Sequence, residues 1–114
     1  MATVSTIRWY PKRGEVYWAR VDKMRPVIVL SVDALNRRSL DVCVVPLTSV
    51  HHREFSLRVP ISASDAGLAQ PSWAKCDQVT TLEKRLLQPP ALGVLSRAAL
   101  CTIENQVKLA LGLL

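Results

Sequence analysis

Arg25 stands directly before an apolar run, Pro26-Val27-Ile28-Val29-Leu30-Ser31-Val32, and Thr48-Ser49 ends another, Asp41-Val42-Cys43-Val44-Val45-Pro46-Leu47. A guanidinium offers a planar fork to two phosphate oxygens, and a hydroxyl can bond a third. If the two runs are neighbouring antiparallel strands, the start of one lies beside the end of the other, and these groups meet at one rim. Such a set suits phosphodiester chemistry on RNA, whose 2′-OH is a nucleophile already in place. The protein then has to hold the phosphate in line, stabilise the developing negative charge and help move protons. The same residues also read as an ion-paired arginine and a Thr-Ser turn, and their types alone leave both readings open.

Other catalytic machinery has no counterpart in the chain. His51 and His52 are adjacent, so on a strand they face opposite ways, and no carboxylate pair stands near them at helical spacing; no metal or other cofactor is expected. The four glycines form no phosphate-binding loop, and a G-x-S-x-G elbow is absent. Cys43, Cys76 and Cys101 include no C-x-x-C pair and are too few for a disulfide scaffold, so free thiols are expected.

The elements that must position these groups belong to a chain of 114 residues, the size of one domain with one core. It is 49% hydrophobic, which argues for a packed interior. No apolar run reaches the roughly 18 residues of a membrane helix, and Met1 to Lys12 carry no secretory pattern; a cytoplasmic protein is expected. The net charge of +6 favours a polyanionic partner without naming one.

Glu15-Val16-Tyr17-Trp18-Ala19-Arg20 reads as a strand, with only Val21 to Arg25 joining it to the run at Pro26, hence a hairpin. The Asp41 run is a third strand, with an edge or bend at Pro46, which has no N–H to donate. Phe55, Leu57, Val59 and Ile61 alternate with polar residues as a fourth. Residues 62–72 read as loop, Trp73 to Val79 as a fifth strand, and Thr80 to Leu87 as a sixth stopped by Gln88-Pro89-Pro90. Leu100, Ile103, Val107, Ala110 and Leu114 then fall three and four apart, one stripe of a helix with Ser96 as N-cap and Gly112 as its end. The fold class is mainly β with a C-terminal α-helix, a small, strongly curved barrel plugged or flanked by that helix.

Four segments in this order resemble the MazF/PemK family of toxin endoribonucleases. They are Lys12-Arg13-Gly14-Glu15-Val16-Tyr17-Trp18, Arg25-Pro26-Val27-Ile28-Val29-Leu30-Ser31, Val44-Val45-Pro46-Leu47-Thr48-Ser49, and Asp77-Gln78-Val79-Thr80-Thr81-Leu82 with Arg85-Leu86 and Gly93-Val94-Leu95-Ser96. The resemblance runs from Lys12 to the C-terminus, so residues 1–114 are taken as one domain with residues 1–11 as an N-terminal extension. It implies an SH3-like β-barrel, a homodimer, and metal-independent, sequence-selective cleavage of single-stranded RNA to 2′,3′-cyclic phosphate and 5′-hydroxyl ends. It also implies a cognate acidic antitoxin, MazE-like. By position, Arg25 and Thr48 match the family's catalytic arginine and threonine, and Lys23, Ser49, Arg53 and Gln78 are expected RNA contacts.

One departure concerns the first hairpin. Many members carry a longer loop there, whereas here only Asp22-Lys23-Met24 follow Val21. So short a connection cannot close over RNA, and the general base stays unassigned, with Asp22 one candidate. Residues 50–54, with His51, His52 and Arg53, are the other loop beside Thr48. Trp9 and Tyr10, flanked by Arg8 and Lys12, could stack on bases; Trp18 and Trp73, inside strands, are expected in the core or a dimer interface. The alternatives are a non-catalytic small barrel binding nucleic acid or a peptide, and a purely structural dimer subunit.

Overall fold

The computed structural model describes residues 9–50 and 57–113. Its elements run β1 (Glu15–Arg20), β2 (Met24–Val29), α1 (Asp33–Arg38), β3 (Asp41–Thr48), β4 (Arg58–Ile61), α2 (Ala63–Ala66), β5 (Ser72–Lys75), β6 (Thr80–Glu83), a 3₁₀ turn (Lys84–Leu86), β7 (Leu87–Val94) and α3 (Arg97–Leu111). The pairing is antiparallel throughout, in the order β4-β5-β3-β2-β1-β7, with β6 also on β3. The mostly antiparallel sheet with its C-terminal helix is the expected fold class. The hydrogen-bonded path does not close among the described residues; β4 and β7 end it, so the barrel is open.

Strand alternation explains why the sheet has apolar groups on both faces. In β3, Val42 and Val44 join one buried cluster with Tyr17, Ala19, Val27, Val29, Leu82 and Leu87. Val45 and Leu47 point the other way, into a second cluster with Ile28, Val59, Ile61 and Cys76. That cluster is covered by Ile103 and Val107 of α3, so the run of β-branched residues in β2 is buried on both sides. Ser96 caps α3, its Oγ accepting from Ala99 N at 3.1 Å, and Gly112 ends the helix at φ 68°. Arg13 locks the helix to the sheet through its ion pair with Glu104, while its Nε donates to Leu30 O at 2.8 Å.

Pro46 lies where β3 changes partner: β6 pairs with residues 41–44 and β5 with Leu47 and Thr48. The bend expected there is met by this handover, at a residue that lacks a donor. Four expectations are corrected. Gln88-Pro89-Pro90 does not stop a strand, because β7 runs through it. β7 meets β1 at Trp18↔Gln88 and again at Val16↔Gly93, and the residues between them bulge out, so the prolines leave no ladder bond unmade. The segment read as a fifth strand to Val79 ends at Lys75, where Gln78 N closes a turn on Lys75 O at 2.9 Å. Residues 62–72 hold the short helix α2, capped by the Ser62 hydroxyl on Asp65 N at 3.2 Å. The run at Pro26 starts earlier and ends at Val29, after which α1 leads into β3. Phe55, His51, His52, Arg53, Arg8 and Leu114 lie outside the described residues.

The near end of the N-terminal extension packs on the domain. Pro11 is buried, and Trp9 meets the Tyr17 ring edge-on at 5.7 Å. Tyr17 Oη donates to Glu15 at 2.7 Å, and burial together with that carboxylate pushes its pKa well above the usual range.

Candidate active site

The β2–β3 ladder ends at Val27↔Pro46, and Arg25, two residues before Val27, and Thr48, two residues after Pro46, lie just past that end. The hairpin that presents Arg25 is closed by Val21 N on Lys23 O at 3.0 Å. Both residues line a groove of about 460 Å³ with Lys23 and Ser49. Pro26 and Leu47 form its apolar floor, Trp18 one wall, and Arg58 and Lys75 enter from β4 and β5. A second hollow of about 260 Å³ shares Trp18, Pro26, Leu47 and Ser49 and continues past Leu68 and Gln70.

Arg25 is held by its hairpin. Nε donates to Asp22 Oδ1 at 2.9 Å and Nη2 to Oδ2 at 3.3 Å, while Lys23 N caps the same Oδ1 at 2.9 Å. The two bonds to Arg25 hold the Asp22 carboxyl well below the usual carboxylate range and raise the pKa of Arg25 itself. A carboxylate so stabilised is a poor proton acceptor, which counts against Asp22 as the base. The pair is not sealed: the Asp22 side chain is 68% exposed, against 23% for Arg25. Water screens the carboxylate, and a phosphate can compete for the fork or take the Nη1 side, which no bond among the described residues holds.

Thr48 ends β3, and its Oγ1 accepts from Val50 N at 3.1 Å. That bond uses a lone pair and fixes the rotamer, leaving the O–H free to donate to an anion in the groove. Ser49 is exposed beside it. Gln78 is exposed on the β5–β6 turn and is not among the groove residues, so it is not brought to this site. Arg53, His51 and His52 fall outside the described residues.

Trp18 corrects the core expectation. It is 39% exposed and walls both hollows, whereas its neighbours Tyr17 and Ala19 are buried on the other face of β1. Trp9 lines a separate hollow with Leu40 and Arg85, and Tyr10 lies under Lys12 at 5.1 Å and Arg37 at 6.0 Å; neither reaches the groove.

Arg58 and Lys75 were not singled out from the sequence, where each looked like the solvent phase of an alternating strand. They are Cα partners across β4 and β5. Burial lowers the Lys75 pKa, Arg25 and Arg58 lower it further, and Asp22 and Asp77 act the other way. No group of three His, Cys, Asp or Glu side chains able to hold a metal occurs among the described residues. No helix there is long and apolar enough to cross a membrane.

Residues 12–111 match the family described as PemK-like, MazF-like toxins of type II toxin–antitoxin systems, and the chain belongs to it. It is 29% identical to endoribonuclease MazF9 of Mycobacterium tuberculosis, over 90% of this chain and 97% of that protein. Among solved structures it is similar to a mycobacterial endoribonuclease in complex with its cognate antitoxin, with a TM-score of 0.77 at 29% identity, covering 92% of this chain and 96% of that one. A MazE–MazF complex from Deinococcus radiodurans shares the fold, with a TM-score of 0.78 at 21% identity over 93% and 99% of the two chains.

Proposed function

We propose that this chain is the toxin of a type II toxin–antitoxin pair and a metal-independent, sequence-selective endoribonuclease of the cytoplasm. The observation that carries the reading is that Arg25 and Thr48, just past the end of the β2–β3 ladder, line a single cationic groove. In this reading the scissile phosphodiester lies against the Arg25 guanidinium, with the Thr48 hydroxyl donating to a non-bridging oxygen. The 2′-oxygen attacks phosphorus as its proton leaves, the P–O5′ bond breaks, and a proton is delivered to the departing 5′-oxygen. The products are a 2′,3′-cyclic phosphate and a 5′-hydroxyl.

Arg25, held in place by Asp22, stabilises the negative charge that builds on the phosphorane and steadies the proton movements through its N–H donors. Thr48 orients the phosphate. Lys23 and Ser49 contact the strand at the rim, and Trp18 offers a face for a base over the neighbouring hollow. The same groove suits the acidic antitoxin, whose carboxylates would compete with RNA phosphates; the working unit is a homodimer.

Incubation with a long mixed-sequence RNA in EDTA tests this. Fragments with cyclic-phosphate ends at recurring sequences are expected. Cleavage that requires added magnesium would refute the mechanism, and RNA binding without cleavage under any condition would favour a non-catalytic binder.

A further inference from the structure

In the cleavage proposed above the 2′-oxygen attacks in line, so the 5′-oxygen departs from the far side of phosphorus. That oxygen needs a proton as the P–O5′ bond breaks. Arg25 is a poor source, because a guanidinium keeps its proton in a protein and the bonds to Asp22 raise its pKa further. The Thr48 hydroxyl is engaged with a non-bridging oxygen. A better donor stands on the other side of Thr48.

β3 lies between β2 and β5 in the sheet. Thr48 pairs with Trp73, and Lys75, two residues on, shares that face of β5. Lys75 therefore enters the groove across Thr48 from Arg25, and it lines the groove with both. It is near enough for the charges of Arg25 and Asp22 to act on it. The residue is half-buried; burial, then Arg25 and Arg58, lowers its pKa, while Asp22 and Asp77 act the other way. An ammonium drawn partly out of water gives up a proton more readily than a solvated one. While protonated it has three donors and no acceptor, so it suits the oxygen that gains a proton rather than the 2′-OH that loses one. The other groove cations do not fill this place. Lys23 stands on the hairpin of Arg25, on the near side, and Arg58 is a guanidinium.

We propose that Lys75 is the general acid of the cleavage, its Nζ protonating the departing 5′-oxygen while Arg25 and Thr48 hold the non-bridging oxygens. The 2′-oxygen bonds to phosphorus and its proton passes to water. The P–O5′ bond breaks, its electron pair stays on the 5′-oxygen, and that oxygen takes a proton from Nζ. Lys75 is left as a neutral amine and is reprotonated from water. This rests on the proposed ribonuclease reading, which supplies the substrate and the first two groups.

The experiment compares two oligonucleotides containing the mapped cleavage sequence, one with the natural linkage at the cut and one with sulfur in place of the bridging 5′-oxygen. A thiolate departs without a proton, so the sulfur linkage has no need of a general acid. Single-turnover rates are taken above the uncatalysed background, with each variant confirmed folded by its melting curve. Lys75→Gln is expected to slow cleavage of the oxygen linkage about a hundredfold or more and to cleave the sulfur linkage as fast as the unaltered chain. Lys75→Arg keeps a cation in the groove but holds its proton, and should show the same pattern. Lys75→Met, which keeps the apolar stem, repeats the comparison if the glutamine variant does not fold.

A folded Lys75→Gln that cleaves the oxygen linkage at the original rate would overturn the assignment. So would equal slowing on both linkages, which marks a residue that only holds the phosphate, or full activity of Lys75→Arg, which marks a requirement for charge alone. In those cases the unaltered chain still cleaves and the nuclease reading stands. Binding of both oligonucleotides by the unaltered chain with cleavage of neither would sink that reading, and the general acid with it.

Discussion

Asn36 is the buried residue of α1, and its substitution tests how the β2–β3 ladder is held. The side chain has 0% exposure. Its Oδ1 accepts from the Ser31 hydroxyl, and its Nδ2 donates to Ser31 O at 2.9 Å. The Ser31 Oγ in turn accepts from Cys43 N at 3.1 Å, which ties the end of β2 to the body of β3. Asn36→Ala deletes two hydrogen bonds, about 1 kcal/mol each. It also leaves the Ser31 carbonyl and hydroxyl short of partners, for on the order of 1–2 kcal/mol more. The bond from Lys84 Nζ goes to the Asn36 backbone carbonyl at 2.8 Å and survives. The expected loss is roughly 3 kcal/mol, a fall in Tm on the order of 10–15 °C, read by urea and thermal denaturation at one fixed protein concentration. Ser31→Ala combined with Asn36→Ala should cost less than the two single losses added, because both remove the bond from the Ser31 hydroxyl to Asn36 Oδ1 and each single change leaves the other partner of that bond buried and unpaired. A loss below about 1 kcal/mol, or additive losses, would refute the idea that this network clamps the strands.

Other outcomes follow from close approach and burial. Gly67 has φ +71°, and a Cβ there would stand 1.8 Å from Leu92 O, so Gly67→Ala should destabilise by several-fold more than Gly112→Ala. The latter keeps open space around it at φ +68° and should cost about 1 kcal/mol; equal losses in denaturation would show that α2 and β7 pack more loosely than this distance requires. Burial, with Asp77 beside it, raises the Cys76 thiol to about 12, whereas Cys101 is exposed. Iodoacetamide at pH 8 should therefore label Cys101 first and Cys76 only on unfolding. Because the folded pKa of Cys76 lies above its ordinary value of 9.0, its contribution is fully present below pH 9 and is lost as pH rises toward 12. Early labelling of Cys76 in the native protein, by mass spectrometry, would contradict its burial.

The parts of this molecule that obey a simple period were legible in the sequence. β1 and β3 fall where their runs of β-forming residues put them, and α3 where the three-four spacing does, because β3 is buried on both faces and α3 along one stripe. The helix α1 was not legible, since its docking rests on Asn36 and hydrogen bonds rather than on an apolar stripe, and Leu35 beside it is 46% exposed. β7 was hidden by Pro89 and Pro90, whose effect on a ladder depends on whether the chain can bulge away from its partner. At the groove, Arg25 and Thr48 stood out because each flanks an apolar run. Arg58 and Lys75 looked like solvent-facing positions until β4 was laid against β5; a pair of like charges at matching phases was the available signal, and it needs the register to be seen.

The central claim is that Arg25 and Thr48 act on one phosphate. Single-turnover cleavage by Arg25→Gln, Thr48→Val and the double variant, each confirmed folded by its melting curve, tests it most directly. Each single substitution is expected to slow cleavage by about 10²–10³, and the double by far less than the product of the two, since both lose the same positioned group. Rates that simply multiply, or a folded Arg25→Gln that cleaves as fast as the unaltered chain, would contradict the account.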